Sequence, residues 1–330
     1  MANLSTSYMG LPLKSPIIAS SSGLTASVKE IRELEKFGAG AVVLKSLFEE
    51  EIVVELEKQR GRMFSSSYLY PETIEFYEYD DTEDSLSSYL RLIAECKQRV
   101  RIPVIASINC VTSYNWPEFA RTLQDAGADA LELNLFVLPS NLEATAFENE
   151  KLVIDVVRRV KSQVSIPVSV KISHYFSSLG TTVKNISQTG VDAIVMFNRF
   201  YSPDIDLDVL DVVSGNVFSK PDDYYLSLQW IGLMSGRVDC QLAASTGVHN
   251  AGTALKMLLA GAQTVQVASC LYKNGTPYLS AILNGMSQWM DEKGFGNIDS
   301  LRGILAQNQV INPAGYERLQ FMKYFAKKTI

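Results

Sequence analysis

Two lysines and three asparagines stand at the ends of short apolar segments in the 330-residue sequence. The lysines are Lys45 and Lys171, and the asparagines are Asn109, Asn134 and Asn198. A cation that a fold buries needs a negatively charged or electron-rich partner, because its desolvation is otherwise costly. Amide side chains both donate and accept hydrogen bonds, which suits a planar ligand with alternating donors and acceptors. These residue types therefore predict a site for a flat, nitrogen-rich molecule.

Small residues in the last third of the chain predict a phosphate site. The segments Ser245-Thr246-Gly247 and Ala268-Ser269 lack bulky side chains, so backbone N–H groups can approach an anion closely. Flavin mononucleotide (FMN) is a phosphorylated, flat ligand of this kind, and its reduced ring carries negative charge near N1 that a lysine can stabilise. The alternative is that these residues bind no ligand. A lysine at a strand end commonly extends its ammonium group into solvent as a solvated tip, and Asn109 on its own is typical of a turn.

Eight apolar segments rich in Val, Ile and Ala must position these residues. Each is nearly continuous in hydrophobicity, as strands buried on both faces are. They cover residues 16–20, 41–46, 103–109, 130–135, 167–173, 193–199, 241–246 and 264–271. Amphipathic segments between the strands predict helices. One helix begins at the capping pattern Ser27-Val-Lys-Glu30. The others cover residues 116–126, 147–164, 179–188, 222–234 and 251–260. Several of these helices end in a glycine-containing turn, which supplies a left-handed cap.

This alternation predicts an α/β fold in which a parallel sheet closes into a (β/α)8 TIM barrel, with chemistry at the C-terminal strand ends. An open doubly wound sheet is the alternative, and the lack of G-x-G-x-x-G after the first strand disfavours it. Residues 49–84 and 200–221 interrupt the alternation, and we predict that they form inserted loops over the C-terminal mouth, with an added subdomain as the alternative for residues 49–84. We expect residues 1–330 to form a single domain.

The composition excludes several classes of protein. Apolar residues make up 47% of the chain and charged residues 20%, as in globular proteins. The net charge of −6 argues against nucleic acid or an anionic membrane as the main partner. No apolar run is long enough to span a membrane, and no signal peptide is expected. Four cysteines without a C-x-x-C pair, with only two histidines, predict free thiols in a reducing cytoplasm and no metal site.

Six motifs follow one another along nearly the whole chain. They are residues 4–16, Ala19-Ser-Ser-Ser-Gly23, Val43-Leu-Lys-Ser46, residues 128–135, Val168-Ser-Val-Lys171 and residues 261–267. Together they resemble the dihydroorotate dehydrogenases, specifically the soluble class 1 type. The resemblance implies a barrel with an N-terminal hairpin, bound FMN, and the oxidation of dihydroorotate, or of a related dihydropyrimidine, to orotate in pyrimidine biosynthesis.

The resemblance also implies roles for individual residues. Lys171 would neutralise the reduced flavin ring, and Lys45 would lie at the edge shared by flavin and substrate. The FMN-binding set would be Ala19, Ser20, Lys45, Ser46, Asn109, Asn134, Lys171, Asn198, Thr246, Gly247, Ala268 and Ser269. Substrate binding is expected at Lys45, Ser66, Asn134 and Asn198, and catalysis at Lys45 and Ser140.

The catalytic loop departs from the family pattern. Class 1 members read Asn-Leu-Ser-Cys-Pro-Asn, with the cysteine as general base, whereas this chain reads Asn134-Leu-Phe-Val-Leu-Pro-Ser-Asn141. Ser140 is the nearby hydroxyl, and His174 and Cys110 are other candidate bases, although a loop histidine and a core cysteine are the ordinary interpretations. The family loop that clamps orotate appears here as Ser66-Ser-Tyr-Leu-Tyr-Pro-Glu72, without its asparagines.

These departures leave three hypotheses of function open. The first is the dihydroorotate dehydrogenase reaction, the second is a flavin oxidoreductase acting on a different planar substrate, and the third is a catalytically inactive barrel that binds a ligand. Thr246 and Ala268 replace family glycines near the phosphate, a milder change because both are small. The electron acceptor is predicted to be fumarate or a similar soluble molecule, or a partner electron-transfer subunit. The resemblance also predicts a homodimer.

Overall fold

Eight parallel strands close into a ring in the structure, a computed structural model that describes residues 2–48, 85–109, 116–135, 138–199 and 202–317. In chain order the strands are β1 (Thr6–Tyr8), β2 (Leu11–Leu13), β3 (Ile17–Ala19), β4 (Ala41–Val43), β5 (Leu47–Phe48), β6 (Val104–Asn109), β7 (Ala130–Leu135), β8 (Val168–Ile172), β9 (Ala193–Met196), β10 (Pro203–Asp206), β11 (Asp211–Ser214), β12 (Gln241–Ala244) and β13 (Thr264–Val267). The ring runs β3-β4-β6-β7-β8-β9-β12-β13 and returns to β3, with β5 continuing β4 along β6. The predicted (β/α)8 TIM barrel is confirmed.

Helices flank the strands of this ring. They are α1 (Val28–Lys36), α2 (Ser85–Arg99), α3 (Trp116–Asp125), α4 (Ala146–Lys161), α5 (Leu179–Ser187), α6 (Tyr224–Met234), α7 (Ala251–Ala260), α8 (Ser269–Asn274), α9 (Tyr278–Lys293) and α10 (Ala314–Glu317). Every predicted helix is present, whereas α2, α8, α9 and α10 are not among the predictions. The eighth predicted strand is too long, because the chain turns at Ala268 into α8.

Helix ends follow the local signals of the sequence. Ser27 caps α1, its hydroxyl accepting a hydrogen bond from the Glu30 amide at 3.3 Å. Gly38, Gly127 and Gly190 each follow a helix with φ between 86° and 101°, and so return the chain to the next strand as predicted.

The N-terminal hairpin β1–β2 closes one end of the barrel. Tyr8, Met9 and Leu13 are buried and pack with residues that begin the ring strands, including Ala41 and Ala130. This apolar contact seals the N-terminal end of the barrel.

The insertion after β9 contains ordered secondary structure. We predict an irregular stretch over residues 200–221, but β10 and β11 pair there as an antiparallel hairpin with exposed faces. Val217 to Ser219 then lie over the C-terminal mouth, as expected of an inserted loop. The predicted insertion at residues 49–84, which includes Ser66, lies outside the described residues.

The structure bears on two predictions from the composition, one about the cysteines and one about membrane-spanning helices. Cys96, Cys240 and Cys270 are free thiols, as predicted for the cysteines that the structure describes. Burial raises the pKa of Cys96 and Cys270 to about 11 and that of Cys240 to about 12, so these thiols stay protonated at neutral pH. Within the described ranges, no helix has the length and apolar character needed to cross a bilayer.

Candidate active site

Strand register brings the predicted polar residues side by side. Asn109 on β6 is level with Asn134 on β7, and Asn134 is level with Lys171 on β8. All three follow the two-residue alternation that places every second side chain inside the barrel. Because parallel strands end at the same edge of a sheet, positions far apart in the sequence become one surface. Strand register therefore brings together three of the five residues that the sequence singles out first, and Asn198 joins them through a side-chain hydrogen bond to Asn134.

Lys171 lies inside the barrel mouth with its side chain only 8% exposed. Its Nζ donates hydrogen bonds to Ser20 Oγ at 3.0 Å and to Gln266 Oε1 at 2.9 Å. The carboxylate of Glu132 lies behind it, with Oε1 3.7 Å from Nζ. Lys171 is thus a buried cation at the predicted place, and the solvated-tip alternative is wrong for this residue.

Asn134 and Asn198 form a pair, as their shared predicted role requires. Asn198 Nδ2 donates to Asn134 Oδ1 at 2.9 Å, and the Asn198 backbone amide continues the ladder by donating to Ile172 O at 2.8 Å. Both side chains are half-buried. Asn198 Oδ1 also accepts from the Arg199 backbone amide at 3.0 Å, so the N–H groups that remain on the two amides are the donors that this pair can offer a planar ligand.

Lys45 differs from Lys171 in its surroundings. Lys45 is exposed and lies outside the residues that line the described mouth cavity, so its role at the flavin edge stays a prediction. Its neighbour Ser46 is buried in a chain of hydroxyl groups, 3.1 Å from Ser21 Oγ and 2.7 Å from Ser107 Oγ. Ser46 thereby holds the loop after β3 against the C-terminal ends of β4 and β6.

The turn after β12 forms a cradle at the other side of the mouth. Gly247 has φ +75°, and a Cβ atom placed there would lie 2.1 Å from the backbone N of Tyr224. Only glycine fits this contact. The adjacent Thr246 also has a left-handed φ of +73°, which is costly for a β-branched residue. This backbone requirement gives a physical reason for the family glycine that Thr246 replaces.

A hydrogen bond compensates Thr246 for part of this cost. Its Oγ1 donates to Phe197 O at 3.0 Å, tying the turn to the end of β9. A Thr246→Ala variant keeps the left-handed backbone but loses this bond, whereas Thr246→Gly loses the bond and removes the strain. We expect the glycine variant to be more stable than the alanine variant by about 1 kcal/mol in urea unfolding. An alanine variant at least as stable as the glycine variant would contradict this account.

Ser219 anchors the chain segment that covers the cradle. Its hydroxyl lies 2.9 Å from His249 Nε2, its amide donates to Ser269 Oγ at 3.0 Å, and its carbonyl accepts from Lys273 Nζ at 2.8 Å. Burial, and then the charge of Lys273, lower the pKa of His249, so the neutral imidazole is favoured here. These contacts join the segment before α6, the turn after β12 and helix α8 around one point.

Arg199 fixes the preceding part of the same segment. Its guanidinium donates to the carbonyls of Val217 at 2.5 Å and Asn216 at 2.6 Å, and its Nε lies 3.8 Å from the Asp223 carboxylate. With Ser219, it holds Val217 and Phe218 along the wall of the mouth.

One cavity of about 390 Å³ connects the buried cation with the cradle. Seven of the twelve predicted FMN residues line it, namely Ser20, Lys171, Asn198, Thr246, Gly247, Ala268 and Ser269. Of the other five, Ala19 is buried beneath Ser20, and Lys45, Ser46, Asn109 and Asn134 stand at the neighbouring strand ends. The predicted set is therefore clustered in space, although binding itself stays a prediction.

The candidate bases lie in different places. Ser140 is exposed and does not line the cavity. His174 is half-buried with its ring centroid 5.9 Å from that of Phe197, and burial lowers the pKa of its imidazole. It lines a neighbouring cavity of about 510 Å³ that shares Asn198 and Thr246 with the first. Cys110 lies outside the described residues.

Sequence reasoning missed Glu132, Gln266, Arg199, Ser219 and His249. A sequence signal exists for Glu132 and Gln266. Each is a polar residue in a mainly apolar strand, at one of the alternate positions whose side chains point into the barrel. The other three lie on loops, and their meeting depends on how separate loops pack. No spacing in the sequence indicates that packing.

Comparison with known proteins gives an independent result. Residues 3–290 match the family model described as dihydroorotate dehydrogenase. Proteins named dihydroorotate dehydrogenase B (NAD(+)), catalytic subunit, are similar in Thermoplasma acidophilum (27% identical, covering 92% of this chain and 99% of the relative) and Methanosarcina mazei (28%, 89% and 93%). A protein of the same name in Methanothermobacter thermautotrophicus is 23% identical, covering 91% of this chain and 98% of the relative. With its barrel, buried lysine and glycine cradle, the chain belongs to the dihydroorotate dehydrogenase family of enzymes.

Proposed function

We propose that this chain is an FMN-dependent oxidoreductase that oxidises dihydroorotate, or a related dihydropyrimidine, to orotate in pyrimidine biosynthesis. The observation that carries the proposal is the single cavity that joins the buried Lys171 to the cradle at Gly247. The names of the relatives support the same reaction. We also propose that residues 1–330 form one FMN-binding domain and act in the cytoplasm.

The residues of the mouth fit FMN in charge and shape. At one end, Lys171 offers a buried ammonium to the side of the ring that becomes negative on reduction. At the other end, the lack of a side chain at Gly247 lets its turn pack directly against the Tyr224 backbone, and Ser269 and the backbone around it offer donors to a phosphate. FMN, when bound, supplies the hydride acceptor for the reaction.

The protein's own groups would bind and orient the substrate. The Asn134–Asn198 pair lies beside Lys171, so its remaining amide N–H groups can hold a planar dihydropyrimidine against the cofactor. Ser219 and Arg199 hold the segment that carries Val217 and Phe218 along the cavity wall, where apolar side chains exclude water. Orientation of this kind accounts for much of the rate enhancement in many enzymes.

The lining of the described mouth cavity does not supply an obvious general base for proton removal, and this observation motivates the second candidate function. Dihydroorotate oxidation takes a proton from C5 and a hydride from C6, and a positioned base typically contributes about 10² to 10⁴ in rate. Ser140 is exposed, and the described mouth cavity has neither a histidine nor a cysteine in its lining. A planar substrate with a more acidic C–H bond would need less help, which favours a flavin oxidoreductase with altered substrate choice as the alternative.

Flavin bleaching separates these candidates. The purified protein is expected to be yellow and, without oxygen, to lose its flavin absorbance on addition of dihydroorotate. Bleaching by other cyclic amides or enones but not by dihydroorotate would favour the alternative substrate. A flavin that no donor reduces would support an inactive, ligand-binding barrel. A colourless protein that takes up no added FMN would overturn the proposal.

The acceptor and the assembly are separate parts of the proposal. The relatives named as catalytic subunits support a partner electron-transfer subunit, with fumarate as the alternative acceptor. The exposed apolar side chains of the β10–β11 hairpin, including Ile205 and Val212, support a homodimer through this surface. Sedimentation of Ile205→Ser as a dimer of unchanged affinity would contradict that interface, and rapid reoxidation by fumarate alone would remove the need for a partner.

A further inference from the structure

A carboxylate lies behind Lys171, on the side away from the cavity. Glu132 projects from β7 into the barrel and is only 1% exposed. Its Oε2 accepts a hydrogen bond from Gln266 Nε2, whereas its Oε1 is buried without a hydrogen-bond partner. Glu132 is not among the residues that line the mouth cavity, although Lys171 and Gln266 are. This carboxylate therefore does not contact the cavity, whereas its neighbours Lys171 and Gln266 do.

Gln266 connects the carboxylate with the ammonium. Because its Nε2 donates to Glu132, its Oε1 is turned toward Lys171 Nζ, 2.9 Å away. Ser20 Oγ donates to the same Oε1 at 3.1 Å. Glu132 thus fixes the orientation of the Gln266 amide, and that amide in turn fixes the position of the Lys171 ammonium.

The charge of Glu132 also reaches Lys171 directly. The 3.7 Å between Oε1 and Nζ is too long for a strong hydrogen bond but close enough for a substantial Coulomb attraction in a buried site. Tyr8, from the hairpin, and Tyr89 are described titratable groups that also interact with the Glu132 charge. Burial, and to a smaller extent the Glu132 charge, raises the pKa of both phenols, so both are neutral. The ammonium presented to the cavity is therefore partly neutralised from behind.

We propose that Glu132 is a positioning residue that lowers the reduction potential of FMN bound beside Lys171. This inference rests on the proposed function, because it requires FMN in the cavity. Reduction adds negative charge near N1 of the flavin, which the Lys171 charge favours and the Glu132 charge opposes. Removing the negative charge while keeping the shape should leave the ammonium fully available to the reduced ring.

The test compares Glu132→Gln with the parent as FMN-loaded proteins. The midpoint potential is measured by equilibration with a reference dye, and the dissociation constant of oxidised FMN is measured by fluorescence. We expect the ratio of binding constants for reduced over oxidised FMN to rise about tenfold or more. A tenfold rise corresponds to a shift of about 30 mV toward positive potential for a two-electron couple. Glu132→Asp retains the charge, and its midpoint potential should lie between those of the parent and the glutamine variant.

Other outcomes separate this inference from the proposed function. A parent protein that binds no FMN would count against the proposed function. A folded, FMN-loaded Glu132→Gln with an unchanged or lower potential would overturn the inference while leaving the function standing. If Glu132→Gln does not fold, Glu132→Met offers a neutral side chain of similar length that suits burial, and the same shift is expected of it.

Discussion

Replacing Lys171 by methionine is expected to lower the free energy of unfolding of the FMN-free protein by about 3 kcal/mol. The two side chains of the Lys171–Glu132 pair are 8% and 1% exposed, so the substitution leaves a buried carboxylate without its cation. Ser20 and Gln266 also lose the donor that Lys171 supplies. Urea unfolding of the two proteins measures the difference.

Two further variants test the cause of this loss. Lys184→Met, on the exposed face of α5, makes the same substitution without a buried partner and should change stability by less than about 0.5 kcal/mol. The double variant Lys171→Met/Glu132→Gln removes both charges, and it should recover at least half of the loss, because removing a buried ion pair is far less costly than breaking it. A double variant less stable than Lys171→Met would show that the lost charge pairing is not the cause.

The same substitution should weaken FMN binding. The ammonium of Lys171 lines the cavity, and methionine offers neither a charge nor a hydrogen-bond donor to the ring. Flavin fluorescence reports the dissociation constant directly. Unchanged affinity, together with an unchanged potential, would show that the cofactor does not contact this end of the cavity.

A Gly247→Ala substitution is expected to lower the free energy of unfolding by an amount similar to that of Lys171→Met, because it disturbs the backbone. Glycine is required there by a φ of +75° and by the Tyr224 backbone N, which lies 2.1 Å from where Cβ would stand. The left-handed conformation costs about 1–2 kcal/mol for alanine. Forced movement of the α6 N-terminus adds about 1–3 kcal/mol, as overpacking does elsewhere. The displaced turn should also lose the phosphate, so FMN binding and unfolding are both measured.

Gly294 provides a matched control for this substitution. It follows α9 with φ +77°, but no atom lies within 4 Å of where its Cβ would be. Gly294→Ala therefore carries the left-handed cost alone and should leave FMN binding unchanged. If the two variants lose equal stability and bind FMN equally, the close contact at Gly247 has no part in the cradle.

Three of the predicted site residues could be placed from the sequence because the barrel makes their positions simple to infer. Lys171, Asn134 and Asn198 each end an apolar segment, and parallel strands present their ends on one side of a closed sheet. The same reasoning placed Lys45 with them, yet it lies exposed and outside the lining of the described cavity. The position of a residue at a strand end predicts at which end of the barrel it lies. The direction of a long side chain also depends on the groups around it.

The barrel and the cluster of cationic and amide groups at one mouth are predictable from the sequence, because hydrophobic periodicity and helix caps are local signals. The N-terminal hairpin is predictable from the resemblance to the family. The folded structure was needed to show that Glu132 lies behind Lys171, that Ser219 contacts His249 and Ser269, and that Ser140 is exposed. These contacts join residues between 30 and 50 positions apart. They depend on strand register and loop packing, which are set by the whole folded chain rather than by any one segment of it.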